Sequence, residues 1–172
     1  DISNISGISA VGAMVVFQNG KPDKNEYRKF RIRTVRGAND VAMLREVLIR
    51  RFRHVPQAQS SFPYRPLSSS VLKNTRINSG AISRDVTGWS LPDLIVIDGG
   101  KNQLSVAKNF LTTKKLNIPV VSVVKDERHR PREIIGDDMY RTSKERDIIL
   151  ANTEAHRFAL AYHKKRRKLV LP

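Results

Sequence analysis

The sequence predicts an α/β fold: a mixed five-stranded sheet flanked by helices, in the order β-β-β-α-β-α-β-α. Three observations carry this. A hairpin signal separates two strand-like segments in the N-terminal third. Two short, uninterrupted apolar runs farther on enclose a segment of helical period. A long amphipathic helix that turns strongly basic follows near the C-terminal end.

The elements follow in order. The first strand opens at Asp1 with DISNISG, and in this fold it is central and parallel to the strand that ends at Asp98. Ala10 to Gln18 (AVGAMVVFQ) is apolar and β-branched, and Asn19-Gly20 supplies the positive-φ residues of a tight hairpin turn. Glu26 to Arg33 (EYRKFRIR) alternates, with Phe30 and Ile32 on one face and Lys29, Arg31 and Arg33 on a wet, basic one. Asn39 is placed to cap a helix running to about Phe52, with Leu44, Val47, Leu48 and Phe52 as its apolar stripe. His54 to Ser90 breaks the pattern. It holds eight serines, three prolines and only scattered apolar residues, and reads as a long flexible insertion. Leu94 to Ile97 is a continuous apolar run typical of a buried parallel strand. Lys101 to Leu116 has helical period, with Leu104, Ala107, Phe110 and Leu111 inward, and Pro119 introduces a second buried strand, Val120 to Val124. Ile148, Ala151, Ala155, Phe158, Ala159 and Tyr162 keep a 3.6-residue period, so a final helix covers about Ser143 to Lys168.

Composition narrows the function. With 172 residues, 40% of them hydrophobic, the chain fits one domain with a proper core and shows no internal repeat. No apolar run approaches the roughly 20 residues of a membrane span, and no basic stretch followed by a long apolar one marks a signal peptide. The absence of cysteine rules out disulfides and thiolate metal sites and suits a cytosolic protein. Thirty-two Lys and Arg against 16 Asp and Glu give a net charge of +16, a field that attracts polyanions. Six of these cations, with no acid, fall between Arg157 and Lys168. Nucleic acid is the usual partner of such a field, and a membrane surface is disfavoured because the basic helix has no broad Trp, Phe and Leu face.

Three residues stand out chemically. Asp98 ends a buried strand and precedes Gly99-Gly100 and a helix, the crevice where open α/β sheets place their sites. Its position alone suits a turn or helix cap equally well. Asp1, on a neighbouring parallel strand, would bring a second carboxylate close, and two such groups repel unless a divalent cation lies between them. The plain alternative is a solvated terminal carboxylate. His156 begins the basic stretch, and His163 shares its helix face with Leu160; a surface or capping role is the commoner one for a lone helical histidine. His54 and His129 read as surface residues.

DISNISG, LIVIDGGKNQL and TEAHRFALAYHKKRR resemble, in the same order and over nearly the whole chain, the C-terminal nuclease domain of the UvrC family, the incision subunit of bacterial nucleotide excision repair. The resemblance implies a ribonuclease H-like fold, consistent with the element order above. It also implies a catalytic, metal-holding triad of Asp1, Asp98 and His156 with a divalent cation, Mg²⁺ or Mn²⁺. The activity implied is an endonuclease making the 5′ incision in damaged double-stranded DNA. Nucleic acid would be bound by Lys101, Lys125, Arg157, His163, Lys164, Arg166 and Arg167, of which Lys125 matches a family lysine near the site. Further partners implied are UvrB and the UvrA-loaded complex, through parts of the full-length protein absent here, in the bacterial cytoplasm. The chain departs from the family's frequent pattern at Asn39-Asp40, where acidic pairs are common, and at Thr153, where an aspartate often precedes the Glu154 position. It carries no GIY-YIG domain and no tandem helix-hairpin-helix units, and it begins on the triad aspartate itself, so a domain excised from a longer protein is expected. Other ribonuclease H-like nucleases or strand-transferases, and a non-catalytic basic nucleic-acid-binding module, are the competing readings.

Deleting most of 54–90 leaves the remainder folded, because loop-closure cost grows only slowly with length. A thermal melt that stays cooperative checks this, and loss of the transition would mark the segment as structural.

Overall fold

The structure, a computed structural model, describes residues 1–3, 10–35, 37–53, 55, 89–128 and 130–170, with side chains to residue 162 in the last helix. Most of the expected 54–90 insertion, His54, His129 and DISNISG beyond its third residue lie outside the described residues.

The N-terminal part is an antiparallel meander. Strand β1 (Ile2–Ser3) pairs with β2 (Val11–Met14), and β2 with β5 (Arg28–Arg31). Between them β3 (Phe17–Gln18) and β4 (Lys21–Pro22) form a small hairpin on Asn19-Gly20, with φ of 51° and 74°, as the turn signal predicted. The predicted strand from Glu26 starts two residues later, because Asp23 accepts from the Asn25 backbone N–H at 3.1 Å and caps a 3₁₀ turn over Lys24–Glu26. Its alternation holds: Phe30 is buried while Lys29 and Arg31 are exposed. Helix α1 (Asp40–Arg51) begins where predicted, with Asn39 Oδ1 accepting from Ala42 N at 3.0 Å.

The C-terminal part is a β-α-β unit with an added strand. Strand β6 (Ile95–Asp98) runs parallel to β7 (Val120–Lys125), in register from Ile95↔Val120 to Asp98↔Val123, and α2 (Lys101–Thr113) connects them. An unpredicted strand, β8 (Pro131–Gly136), pairs antiparallel with β7, and the short helix α3 (Asp138–Ser143) precedes α4 (Glu145–Val170). Pro131 and the charged residues at the start of β8 suit an edge strand and hide it from a search for apolar alternation.

The ladders among the described residues are β1-β2-β5, β3-β4 and β6-β7-β8. A mixed α/β fold with helices is thus observed, but one continuous five-stranded sheet is not traced. Among the described residues no ladder joins β1, two residues long, to β6.

The two faces of β6-β7 are covered by different helices, and this orients the site. Ile97 and Val120 belong to a core with Leu44, Leu48 and Phe52 of the α1 region and Ala107, Phe110 and Leu111 of α2. Val121 and Val123 point the other way, against Ile148 of α4, with Leu94, Val96, Ile134 and Tyr140 around them. Side chains alternate along a strand. Asp98, opposite Val123, therefore lies on the face that carries α4, and Lys125, two residues after Val123, does too.

Glu46 of α1 is only 8% exposed and ties the turn after β5 to the helix. Its carboxylate accepts from Arg33 N at 3.0 and 3.2 Å, Thr34 N at 2.9 Å, Thr34 Oγ1 at 2.7 Å and Arg50 Nη1 at 3.4 Å. Burial alone would raise its pKa, but the hydrogen bonds from Thr34, Arg33 and Arg50 outweigh it and hold the group below the ordinary carboxylate value. A lowered folded pKa stabilises fully above the unfolded pKa, and that stabilisation is lost as pH falls through the folded value. Glu46→Gln presents an amide to backbone donors and costs about 1–3 kcal/mol at pH 7. In urea melts the gap to the unsubstituted protein narrows once pH drops below about 4.5.

Candidate metal centre

Asp98 sits where the chain leaves the sheet. Gly99 has φ of 146°, a conformation that favours glycine, and a Cβ there would lie 2.8 Å from Gln103 Cδ. Gly99 N donates to Val123 O at 3.1 Å, and buried Ser122 Oγ lies 2.8 Å from Gly99 O and 3.2 Å from Ile97 O. Gln103 Oε1 accepts from Gly100 N at 3.1 Å and closes the start of α2. The turn is held on every side, so the Asp98 carboxylate is presented rigidly.

That carboxylate is gripped through both oxygens. Lys125 Nζ donates to Oδ2 at 2.8 Å from the end of β7, and Asn152 Nδ2 donates to Oδ1 at 3.3 Å from α4. Asn152 is 3% exposed and stands one turn before His156. Asp1 is positioned by its backbone, with Ala13 N donating to Asp1 O at 2.8 Å and Asp1 N to Ala13 O at 3.1 Å. Its side chain is 4% exposed, and its Oδ2 lies 3.1 Å from Nδ1 of His156, whose ring is 47% exposed. One ligand atom from each of Asp1, Asp98 and His156 lies within 4.8 Å of the others.

Burial of the His156 ring, and then the positive charge of Lys125, hold its pKa below the ordinary value of 6.5, with Asp98 opposing. The shift favours the neutral imidazole over the charged one. In the tautomer with Nδ1 protonated, Nδ1–H donates to Asp1 and the lone pair of Nε2 is left for a cation. Two carboxylates and an imidazole are a donor set that fits a divalent cation.

The expected nucleic-acid contacts divide. Lys125 is in the centre, and Lys101 is exposed at the start of α2, three residues past Asp98. Arg157 is exposed but engaged: Nε and Nη2 each lie 2.6 Å from Glu154 oxygens, and Tyr27 OH donates to Glu154 Oε1 at 3.0 Å. The Arg157 bonds hold the Glu154 carboxyl below its ordinary pKa against its burial, while burial and then Glu154 push the Tyr27 hydroxyl up to about 12. His163, Lys164, Arg166 and Arg167 fall on the last turns of α4, where side chains lie outside the described residues. The sequence reading missed Asn152. Its signal was a polar residue within the apolar stripe Ile148, Ala155, Ala159.

Fold and site define a class: a mixed α/β domain whose Asp-Asp-His cluster, at the carboxyl end of a parallel strand, has the donor set of a divalent-metal centre. A sequence model of the UvrC RNase H endonuclease domain matches residues 1–170, and the chain belongs to that family. It is 41% identical over 172 residues to UvrABC system protein C of Clostridium acetobutylicum, covering 97% of this chain and 25% of that protein. To the proteins of the same name from Lachnospira eligens and Finegoldia magna it is 40% identical over 173 residues and 38% identical over 170, covering 25% and 24% of them. The chain thus spans about a quarter of the length of the curated relatives it matches.

Asn152→Leu removes the Oδ1 partner of Asp98 with little change in volume. It lowers Mn²⁺ affinity about 10- to 100-fold, as loss of a group orienting a ligand does. Titration with Mn²⁺ by calorimetry checks this, and an unchanged affinity would show that Asn152 does not orient the carboxylate.

Proposed function

We propose that this chain is a divalent-metal-dependent DNA endonuclease domain that makes the 5′ incision on the damaged strand in UvrABC nucleotide excision repair. The observation that carries this reading is the convergence of Asp1, Asp98 and His156, from three distant parts of the sequence, with ligand atoms within 4.8 Å of one another. Membership of the UvrC RNase H endonuclease domain family supports it.

In this reading Asp1, Asp98 and His156 hold Mg²⁺ or Mn²⁺. A bound divalent cation supplies Lewis acidity, which lowers the pKa of water and offsets the charge of a phosphodiester. The protein's own part is to place and neutralise. Asn152 fixes Asp98 in one rotamer, Lys125 adds a positive charge at the reacting phosphate, and Asp1 sets the tautomer of His156. Lys101, Arg157, His163, Lys164, Arg166 and Arg167 grip the duplex through its phosphates. Such contacts position a strand without reading sequence, which suits lesions of any sequence. The ladders belong to one ribonuclease H-like sheet, residues 1–172 form a single domain with an insertion at about 54–90, and UvrB and the UvrA-loaded complex engage other parts of the full-length protein. The setting is the bacterial cytoplasm. Among the described residues no helix is long and apolar enough to cross a membrane.

Asp98→Ala in the full-length protein, assayed with UvrA, UvrB and a damaged duplex, lowers 5′ incision about a thousandfold, the several kcal/mol a bound metal contributes, while DNA binding is retained. Failure of the unsubstituted protein to cut would instead favour a binding module, and cutting without damage dependence a general nuclease. Mg²⁺ prefers oxygen ligands and Mn²⁺ accepts imidazole more readily, so His156→Asp shifts the metal preference of incision towards Mg²⁺. Unchanged preference would limit His156 to handling a proton.

A further inference from the structure

The turn between β7 and β8 carries charge that the metal centre does not use. After Lys125 the chain runs through Asp126, Glu127 and Arg128 and returns by Arg130, Pro131 and Arg132. Lys125, Asp126, Glu127, Arg128, Arg130 and Arg132 line one open depression of about 340 Å³. Asp126 holds the turn in shape. Its Oδ1 accepts the backbone N–H groups of Arg128 and Arg130, both at 2.9 Å, and its Oδ2 meets the Arg130 guanidinium at 3.1 Å from Nε and 3.0 Å from Nη2. The register slips beside it, with Val124 pairing Glu133 and Lys125 pairing Pro131, so Arg132 is passed over by the ladder and lies in the lining.

Four cations therefore face two carboxylates, and one of those, Asp126, is occupied by Arg130. Among the described residues Arg128 and Arg132 form no ion pair, and both are exposed. A pair of guanidinium forks on a shaped, open surface fits a phosphate, to which each can donate two parallel hydrogen bonds. The location is what makes this more than surface charge. Lys125 is at once part of the lining and the partner of Asp98 at 2.8 Å, so the depression borders the metal centre directly. A nucleic-acid strand with one phosphate at the centre can run along this wall and bring a neighbouring phosphate beside it.

The geometry points to a phosphate subsite: the β7–β8 depression holds a backbone phosphodiester neighbouring the reacting one on the strand being cut, with Arg128 and Arg132 as donors. This rests on the endonuclease reading above and adds contacts that the basic end of α4 does not supply. Arg130 and Asp126 are positioning residues here, since they shape the turn.

The test uses the full-length protein with UvrA and UvrB. Damaged duplexes carry a single uncharged methylphosphonate at successive positions around the 5′ incision. On the all-phosphate duplex, Arg128→Ala/Arg132→Ala raises the substrate concentration for half-maximal incision about 10- to 100-fold, the range expected for lost hydrogen bonds to a charged group. It also lowers the log-log salt slope of binding by about 0.9 for each phosphate that is no longer neutralised. At one methylphosphonate position near the incision, the variant and the unsubstituted protein become equal, because the phosphate's charge is already gone. Arg128→Lys/Arg132→Lys keeps the salt slope and recovers part of the affinity, which a purely structural role would not produce. A double alanine variant that cuts normally, or a defect of the same size at every methylphosphonate position, overturns the subsite. No incision of the all-phosphate duplex by the unsubstituted protein overturns the endonuclease reading itself, a distinguishable failure.

Discussion

The two-sided grip on the Asp98 carboxylate is the interaction to which the rest of the domain is subordinate. A half-buried anion beside a second carboxylate is costly unless each oxygen has a partner. Lys125 supplies one from the neighbouring strand and Asn152 the other from the helix that covers that strand. Both can reach it only because β6 and β7 are parallel and in register, which sends Asp98 and Lys125 to the same face, and because α4 rather than α1 or α2 packs on that face. The same helix turn then delivers His156 to Asp1. Sheet register, helix placement and site geometry are one constraint seen at three scales.

Much of the fold was legible because its elements keep a period. Asn39, the stripe of α1, the continuous runs of β6 and β7, and the Asn19-Gly20 turn all lie where pattern and turn chemistry put them. Strand β8 and helix α3 were not. PREIIG opens on proline and charge and buries only Ile135, and α3 is six residues long, too short for a 3.6-residue period to register. The site was less legible than the fold. The end of a strand marks Asp98, but Asp1 and His156 gain meaning only from motif resemblance, since no local pattern reports a contact across 155 residues. Asn152 was readable in principle as a polar interruption of an apolar stripe.

The basic composition, by contrast, overstates how much cation is free. Arg157 is tied to Glu154, and Lys29, on the face expected to be wet, stands 4.6 and 4.8 Å over the rings of Phe158 and Tyr162. Tyr27 packs edge-on against Phe158 at 5.1 Å and bonds Glu154, so β5 and α4 are joined by a seam of rings and cations rather than by aliphatic packing alone. Arg28 and Arg51 similarly stand over Trp89, at 5.5 and 4.8 Å. In this chain positive charge serves cohesion as well as any recognition proposed above, and only the geometry separates cations tied into the fold from those left exposed.

Asp1, Asp98 and His156 lie far apart in the sequence. Contacts of such long range form late, after most loop-closure entropy has been lost. A nascent or partly unfolded copy therefore holds at most fragments of the constellation, none of which gathers three ligands. In the endonuclease reading proposed above, tertiary assembly acts as a safety catch: the ligand set exists only when the whole fold has been made.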